Sequence, residues 1–336
     1  MLVKKTNFFC LITLCLTLLS AQHILAQTDD PLPSWNDGAA KKTIIAFVKE
    51  TTEQGNPKFV PVEERIATFD QDGTLWVEQP IYSQVFFAID RLKALAPEHP
   101  EWKDKEPYKT VISGDQAALA KLNEHDIVQI VAVTHSGMSL NDYHQKVHDW
   151  LQTAVHPKFN KPFTQLVYQP MLEVMQLMRK NGFKTYIVSG GGQEFIRVYA
   201  DKVYGVPSEQ VIGTAGKVKY DYQNGHPVLI KLPEILFVDD FGGKPEGINL
   251  IIGKRPIAAF GNSIGDQQML EWTQGSAGTR LELLVHHDDA VREYAYGPDS
   301  KVGTFSDALM EEAKQKGWIV VSMKDDWKLI FPFNAN

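Results

Sequence analysis

The chain has 336 residues, of which 43% are hydrophobic and 22% charged, so it can bury a substantial core as one large or two modest globular domains. A formal net charge of -7 with no basic stripe or run removes the electrostatic footprint of a nucleic-acid binder. The only cysteines, Cys10 and Cys15, fall in an N-terminal apolar segment, and a chain processed after it holds no disulfide, thiolate nucleophile or Cys-ligated zinc.

In that segment Lys4-Lys5 precede an apolar run from Phe8 to Leu19, too short to span a bilayer comfortably and followed by small residues. This is the pattern of a secretory signal peptide over residues 1–26, with cleavage after Ala21 or Ala26. The expectation is a periplasmic or secreted protein with no stable membrane association after cleavage; an uncleaved membrane anchor is the alternative.

Lys41 to Thr51 reads as a helix leading toward the first core strand. Ile66-Ala67-Thr68-Phe69 is a short apolar run suited to a buried parallel strand, and it delivers Asp70 and Asp72 onto a turn marked by Gly73. Carboxylates one residue apart share a patch only with a divalent cation or a shared proton. An Asp-rich turn with a purely conformational role is the bland alternative.

From Pro80 to about His156 the pattern turns helical. Ile81, Val85, Phe86, Ile89, Leu92 and Leu95 recur at three- and four-residue steps, and further helical stretches run over Asp115–Asn123, Glu124–Thr134 and Ser139–Val155. His144 and His148 stand one helical turn apart, but no H-E-x-x-H frame supports a metal pair, so solvated or capping roles are expected. Thr134-His135-Ser136-Gly137 reads as a turn with a Ser N-cap candidate, and a substrate-facing loop is its functional reading.

A helix over Tyr168–Lys180 carries Met171, Val174, Met175 and Met178 as a core face and closes at Asn181-Gly182. A strand over Phe183–Val188 then ends in Ser189-Gly190-Gly191-Gly192 before a helix over Glu194–Tyr204, which puts a hydroxyl and free backbone N–H groups at a helix start, a natural anion site. The glycines do not form G-x-G-x-x-G, so a dinucleotide site is disfavoured. Val218 to Ile230 alternate about Asn224-Gly225 as a hairpin. Asp239 to Ile248 place Lys244 at a helix start, with Pro245 in the first turn. Pro256–Phe260 reads as a buried strand running into Gly261-Asn262-Ser263-Ile264-Gly265-Asp266. Leu281–Val285 is a further strand, His286-His287-Asp288-Asp289 is expected to open a polar helix as an N-cap cluster, and Ser306–Lys316 and Trp318–Met323 repeat helix and strand.

Asp70-Gln71-Asp72-Gly73-Thr74 resembles the first motif, D-x-D-G-T, of the haloacid dehalogenase (HAD) superfamily. The strand ending at Ser189 is similar to its second motif, Lys244 to its third, and Gly261 to Leu270 to the fourth motif of the phosphoserine-phosphatase-like branch. The resemblance implies an α/β fold: a doubly wound, largely parallel Rossmann-like core over residues 27–79 and 157–336, with residues 80–156 as an inserted, mainly helical cap domain. It also implies a Mg²⁺-dependent phosphatase acting on a small-molecule phosphate ester, and the N-terminal signal pattern adds the expectation that it is exported. Asp70 would be the nucleophile that forms an aspartyl phosphate, and Asp72 the acid and then the base. Ser189, Gly190 and Lys244 would hold the phosphate. The metal set would be Asp70, Asp72 through its backbone carbonyl, Asn262 and Asp266, the last as ligand or neighbour. Asn262 departs from the pattern, since the family more often has Asp there; Asn ligates through its carbonyl oxygen but brings no charge. Asp72 speaks against haloacid dehalogenases, which lack this acid, and against phosphate-transporting ATPases, which carry Thr. A phosphotransferase or phosphomutase, or a non-catalytic binding protein on the same scaffold, are the alternatives.

Overall fold

The computed structural model describes residues 30–119 and 121–335, so the signal segment expected over residues 1–26, with Cys10 and Cys15, lies outside the described residues. No helix among the described residues is long and apolar enough to cross a membrane. Seven strands form one sheet: β1 (Ile66–Phe69), β2 (Lys184–Gly192), β3 (Val211–Gln223), β4 (His226–Phe237), β5 (Ala258–Gly261), β6 (Leu281–His286) and β7 (Ile319–Ser322). Their order is β4-β3-β2-β1-β5-β6-β7, parallel throughout except for the antiparallel β3–β4 hairpin. The short, wholly buried β1 is therefore central and covered on both faces, as a parallel strand flanked by helices must be.

Successive residues of each core strand point to opposite faces, and two apolar clusters result. Phe69, Ile187, Phe260 and Leu283 join the larger cluster, with helices Ala39–Thr52 and Gln169–Lys180, and Val188, Ala259 and Leu284 join the smaller, with Ile248, Met269 and Leu309. Phe69 and Phe260 stack at 4.3 Å across neighbouring strands. Between β1 and β2 run helices Ser83–Leu95, Tyr108–Ser113, Gln116–Leu119, Glu124–His135 and Leu140–Thr153; Val85, Ile89, Leu92, Trp102, Val111 and Ile130 from this region build a third cluster, whereas Leu140–Thr153 packs into the larger one through Tyr143, Val147 and Leu151. Phe86 is only partly buried, and Phe87 takes the deep position, packed among Tyr143, Trp150 and Phe195. The Ser83–Leu95 helix thus buries two faces, which a one-stripe reading does not anticipate.

Three segments depart from expectation. The glycines after Ser189 do not form a turn into a helix, because β2 continues to Gly192 through a bulge between Ser189 and Gly192. There β3 approaches so closely that a Cβ on Gly213 would lie 2.9 Å from the Gly191 carbonyl oxygen. The following helix breaks into Gln193–Arg197 and Ala200–Tyr204, with Tyr199 between them stacked on Trp76. No helix follows His286. Asp288 instead accepts hydrogen bonds from the Ser322 hydroxyl and the Lys324 N–H, capping the short Met323–Asp326 helix, while Asp289 holds the backbone of Val291 and Arg292.

Because Phe260 is fully buried and stacked beneath the carboxyl ends of the central strands, Phe260→Ala should lower unfolding free energy by about 3–5 kcal/mol. Leu250→Ala, at a position 71% exposed, should change it by less than about 0.5 kcal/mol. Urea titrations of both variants beside the parent read the difference, and equal effects would contradict this packing.

Candidate active site

The site lies beyond the carboxyl ends of β2, β1 and β5, the crevice such a sheet presents. Asp70 leaves β1 with its N–H bonded to the Phe260 carbonyl at 2.8 Å. The turn that follows requires glycine: Gly73 has φ 79°, and a Cβ there would lie 2.1 Å from Asn262 Nδ2 and 2.3 Å from Glu78 Oε1. Asp72 is tethered through Oδ1 to the Trp76 indole N–H at 2.7 Å. Burial raises the Asp72 pKa to about 6, against the opposing pull of the Trp76 hydrogen bond and the Lys244 charge.

Lys244 enters from the first turn of helix Gly243–Ile251 and is only 2% exposed. Its ammonium donates to Asp70 Oδ1 at 2.6 Å, Asp266 Oδ1 at 2.5 Å and the Val188 carbonyl at 3.1 Å, which uses all three of its protons. Burial works against the charged amine, but the Asp266 and Asp70 carboxylates more than offset it and hold the Lys244 pKa above its ordinary value. Burial and the Asp266 charge push the Asp70 carboxyl upward while Lys244 pulls it down. A lysine held charged by two carboxylates favours those carboxylates ionised, so the ammonium and the carboxylates stabilise one another's charged forms against the upward push of burial on Asp70. The second Asp266 oxygen accepts the N–H groups of Asn262 at 2.9 Å and Ser263 at 3.0 Å. Asp266 therefore has both oxygens engaged and orients the lysine and the Asn262 turn.

Ser189 ends the regular part of β2 and is buried; its N–H donates to Asp239 at 3.1 Å. The expected free backbone N–H groups are not all free: Gly191 N–H donates to the Ser189 hydroxyl at 3.0 Å and Gly192 N–H to Gln84 Oε1 at 2.7 Å. The bulge, rather than a helix start, sets this geometry. Ser189 and Gly190 do line the same cleft as Asp70, Asp72 and Lys244.

Glu78, which the sequence reading passed over, is buried here and accepts hydrogen bonds from Asn262 Nδ2 at 2.7 Å and the Tyr296 hydroxyl at 2.6 Å. Burial pushes its carboxyl well above the usual range, and the charges of Asp72 and Asp70 add to this. Holding the Asn262 amide nitrogen leaves Oδ1 facing the Thr74 hydroxyl at 3.2 Å, and the same hydroxyl lies 3.4 Å from Asp70 Oδ2. His287 braces the loop from behind: its Nε2 meets the Gly73 carbonyl at 2.7 Å and its Nδ1 meets Glu293 Oε2 at 3.2 Å. Asp72 was legible as part of a motif, and His287 only as a member of an expected N-cap cluster; Glu78 carried no local signal beyond its residue type.

His144 bonds Glu194 at 2.7 Å, whereas His148 is exposed beside Asp149 at 3.3 Å, so the two form no metal pair. Among the described residues no cluster of three or more His, Cys, Asp or Glu side chains could hold a metal ion. The Thr134–Gly137 turn is shorter than expected, because Thr134 and His135 end helix Glu124–His135; Ser136 donates back to the Ala132 carbonyl, and the N-cap of the next helix is Ser139 rather than Ser136. His135 and Ser136 do line the cleft, which has a volume of about 330 Å³ and is roofed by Ile127, Val128 and Val131.

No curated protein matches the chain. It is similar to a solved structure of a conserved, functionally unknown protein from Anaerococcus prevotii, at 14% identity over 86% of this chain and 94% of that one, with a TM-score of 0.54. A protein with unknown function from Bordetella pertussis matches at 16% identity over 77% and 98%, with a TM-score of 0.49. A probable phosphoserine phosphatase from Vibrio cholerae matches at 12% identity over 83% and 65%, with a TM-score of 0.38. At these identities the likeness is one of fold. The family model for haloacid dehalogenase-like hydrolases matches residues 67–271, from the strand before Asp70 to the helix after Asp266, and the chain belongs to that family.

Proposed function

We propose that the protein is an exported, Mg²⁺-dependent phosphatase that hydrolyses a small phosphomonoester through an aspartyl phosphate on Asp70. The observation that carries this reading is the convergence of Asp70, Lys244 and Asp266, at 2.6 and 2.5 Å, beside a tethered Asp72 whose carboxyl titrates near the operating range of an acid–base catalyst.

The donor set suits a hard divalent cation. Asp70 Oδ2 and Asn262 Oδ1 both face the Thr74 hydroxyl, and the resemblance adds the Asp72 backbone carbonyl. Mg²⁺ held there would supply charge neutralisation for the phosphoryl group. Asp266, with both oxygens engaged, serves as its neighbour rather than its ligand.

The remaining chemistry belongs to the chain. Lys244 fixes one oxygen of Asp70 and thereby the direction of the other. Asp70 attacks phosphorus, the ester P–O bond breaks, and Asp72 gives its proton to the departing oxygen. Asp72, now a carboxylate, takes a proton from the water that attacks the same phosphorus; inorganic phosphate leaves and Asp70 is restored. Ser189 and Gly190 position the phosphoryl oxygens, Lys244, with its three protons already engaged, contributes its charge rather than a hydrogen bond, and the helical insertion over residues 80–156 acts as a cap that limits water and admits only small esters.

Export rests on the Lys4–Leu19 segment, and a mature chain beginning near Thr28 by N-terminal sequencing is its test. For the chemistry, Asp70→Asn should remove turnover of p-nitrophenyl phosphate by on the order of 10⁴-fold or more with circular dichroism unchanged, and EDTA should silence the parent until Mg²⁺ is restored. Activity retained in the variant, or indifference to chelation, would refute the nucleophile or the cation respectively. Asp72→Asn should cost roughly 10²–10⁴ in rate, with a smaller loss for a p-nitrophenolate than for an alkoxide leaving group, and mass spectrometry should find a phosphorylated Asp70 peptide. Equal losses with no trapped peptide would make Asp72 a structural residue.

A further inference from the structure

The roof of the cleft carries a cation that the phosphoryl chemistry leaves unused. Lys231 sits on β4 where the hairpin meets the inserted helices. Its N–H donates to the Met138 carbonyl and its own carbonyl accepts the Gly137 N–H, both at 2.9 Å, so its backbone is clamped to the turn between helices Glu124–His135 and Leu140–Thr153. The side chain lines the cleft and the residue is 8% exposed. Its ammonium lies 4.5 Å from the centroid of the Tyr143 ring and makes no hydrogen bond or ion pair with a described residue.

A buried ammonium without a carboxylate or carbonyl partner is costly, and a π face offsets only part of that cost. The carboxylate whose field it feels is Glu194, but the oxygens of Glu194 are already taken, by His144 Nε2 and Arg197 Nη1, each at 2.7 Å. His135, also on the cleft wall, does not answer the charge: its Nε2 has no partner, and burial with the nearby Lys231 and Arg91 charges keeps the ring neutral, its pKa near 3. Arg91 is spent on the Thr134 carbonyl and does not line the cleft. At the floor the contrast is complete, because Lys244 is neutralised by Asp70 and Asp266. The cleft thus has a compensated cation where phosphate binds and an uncompensated one at its other wall, with Val128, Val131 and Leu232 among the apolar side chains beside it.

The geometry points to Lys231 as a subsite for a carboxylate on the leaving-group half of the substrate, which makes the preferred substrate a small phosphomonoester of a hydroxy acid with an apolar body. A single ammonium with neither an arginine fork nor a helix N-terminus beside it matches a singly charged carboxylate better than a second phosphate. A volume of about 330 Å³ admits a compact molecule only. Apolar walls strengthen the attraction by excluding water from around the pair.

This inference rests on the phosphatase reading, and its test separates the two. Phosphate esters of aromatic and branched aliphatic hydroxy acids are each paired with the corresponding primary amide, and kcat/KM is measured for the wild type, Lys231→Gln, Lys231→Met and Lys231→Arg, all checked by thermal unfolding. Binding of the phosphate-free hydroxy acids is measured in parallel by calorimetry. The wild type should prefer at least one acid over its amide by about 10-fold or more, the size of a hydrogen bond to a charged group. Lys231→Gln and Lys231→Met should bring that ratio toward one and abolish binding of the free acid, and Lys231→Arg should keep both. A wild type that treats every acid and amide alike, or a preference that survives in Lys231→Gln, overturns the subsite while leaving the phosphatase reading intact. Lys231-dependent binding of the acids with no ester hydrolysed upholds the subsite and overturns the phosphatase reading. A diol bisphosphate, which lacks a carboxylate, preferred over the hydroxy-acid monophosphates in a Lys231-dependent way would replace the carboxylate with a second phosphate and overturn the assignment.

Discussion

One ammonium group ties the centre of the molecule together. Lys244 donates to the Val188 carbonyl on β2, to Asp70 at the end of β1 and to Asp266 after β5, so the carboxyl ends of three adjacent strands share a single partner. Separating such a buried group from either carboxylate leaves an uncompensated charge, a loss of about 3–5 kcal/mol in comparable pairs. The register of these strands, their flanking clusters and the shape of the crevice above them are all compatible with that one contact. Asp70 gains from it a fixed orientation, which the proposed in-line attack would require.

Around this pin the site is built by close approach. Gly73 admits Asn262 and Glu78 to positions a side chain would occupy, and Gly303, also at positive φ, makes room for the Glu78 carboxylate from the other side. Glu78 in turn decides which way the Asn262 amide faces. The residue that departs from the family pattern is therefore held by a carboxyl group contributed from just beyond the first motif, and its oxygen is presented toward Thr74 and Asp70. His287 and Glu293, both buried, support the same turn from the loop that follows β6.

The family core and the roof of the cleft answer different needs. On the proposed function, strands, lysine and carboxylates near the floor would serve the phosphoryl group, which is the same in every phosphomonoester. The wall made by helix Glu124–His135 and the end of the hairpin is where apolar and charged side chains meet, and there a leaving group would be distinguished. The backbone bonds between Lys231 and the Gly137–Met138 turn join these two elements, so hairpin and insertion form that wall together.

Local chemistry made much of this legible in advance. The β-branched run before Asp70, the Asn224-Gly225 turn, the methionine face of helix Gln169–Lys180 and Lys244 at a helix start each follow from periodicity or turn preference within a few residues. Their order along the chain was enough to indicate the family and its parallel sheet. The sequence alone could not show that three glycines after Ser189 would continue a strand as a bulge, because that depends on how closely β3 approaches. Nor could it pair Glu78 with Asn262, 184 residues away, or set Lys231 against Tyr143 without a carboxylate. An isolated Glu, His or Lys has the same local signature on a solvated surface as in a buried site. Only the tertiary structure decides which of them is stripped of water, and with what partner.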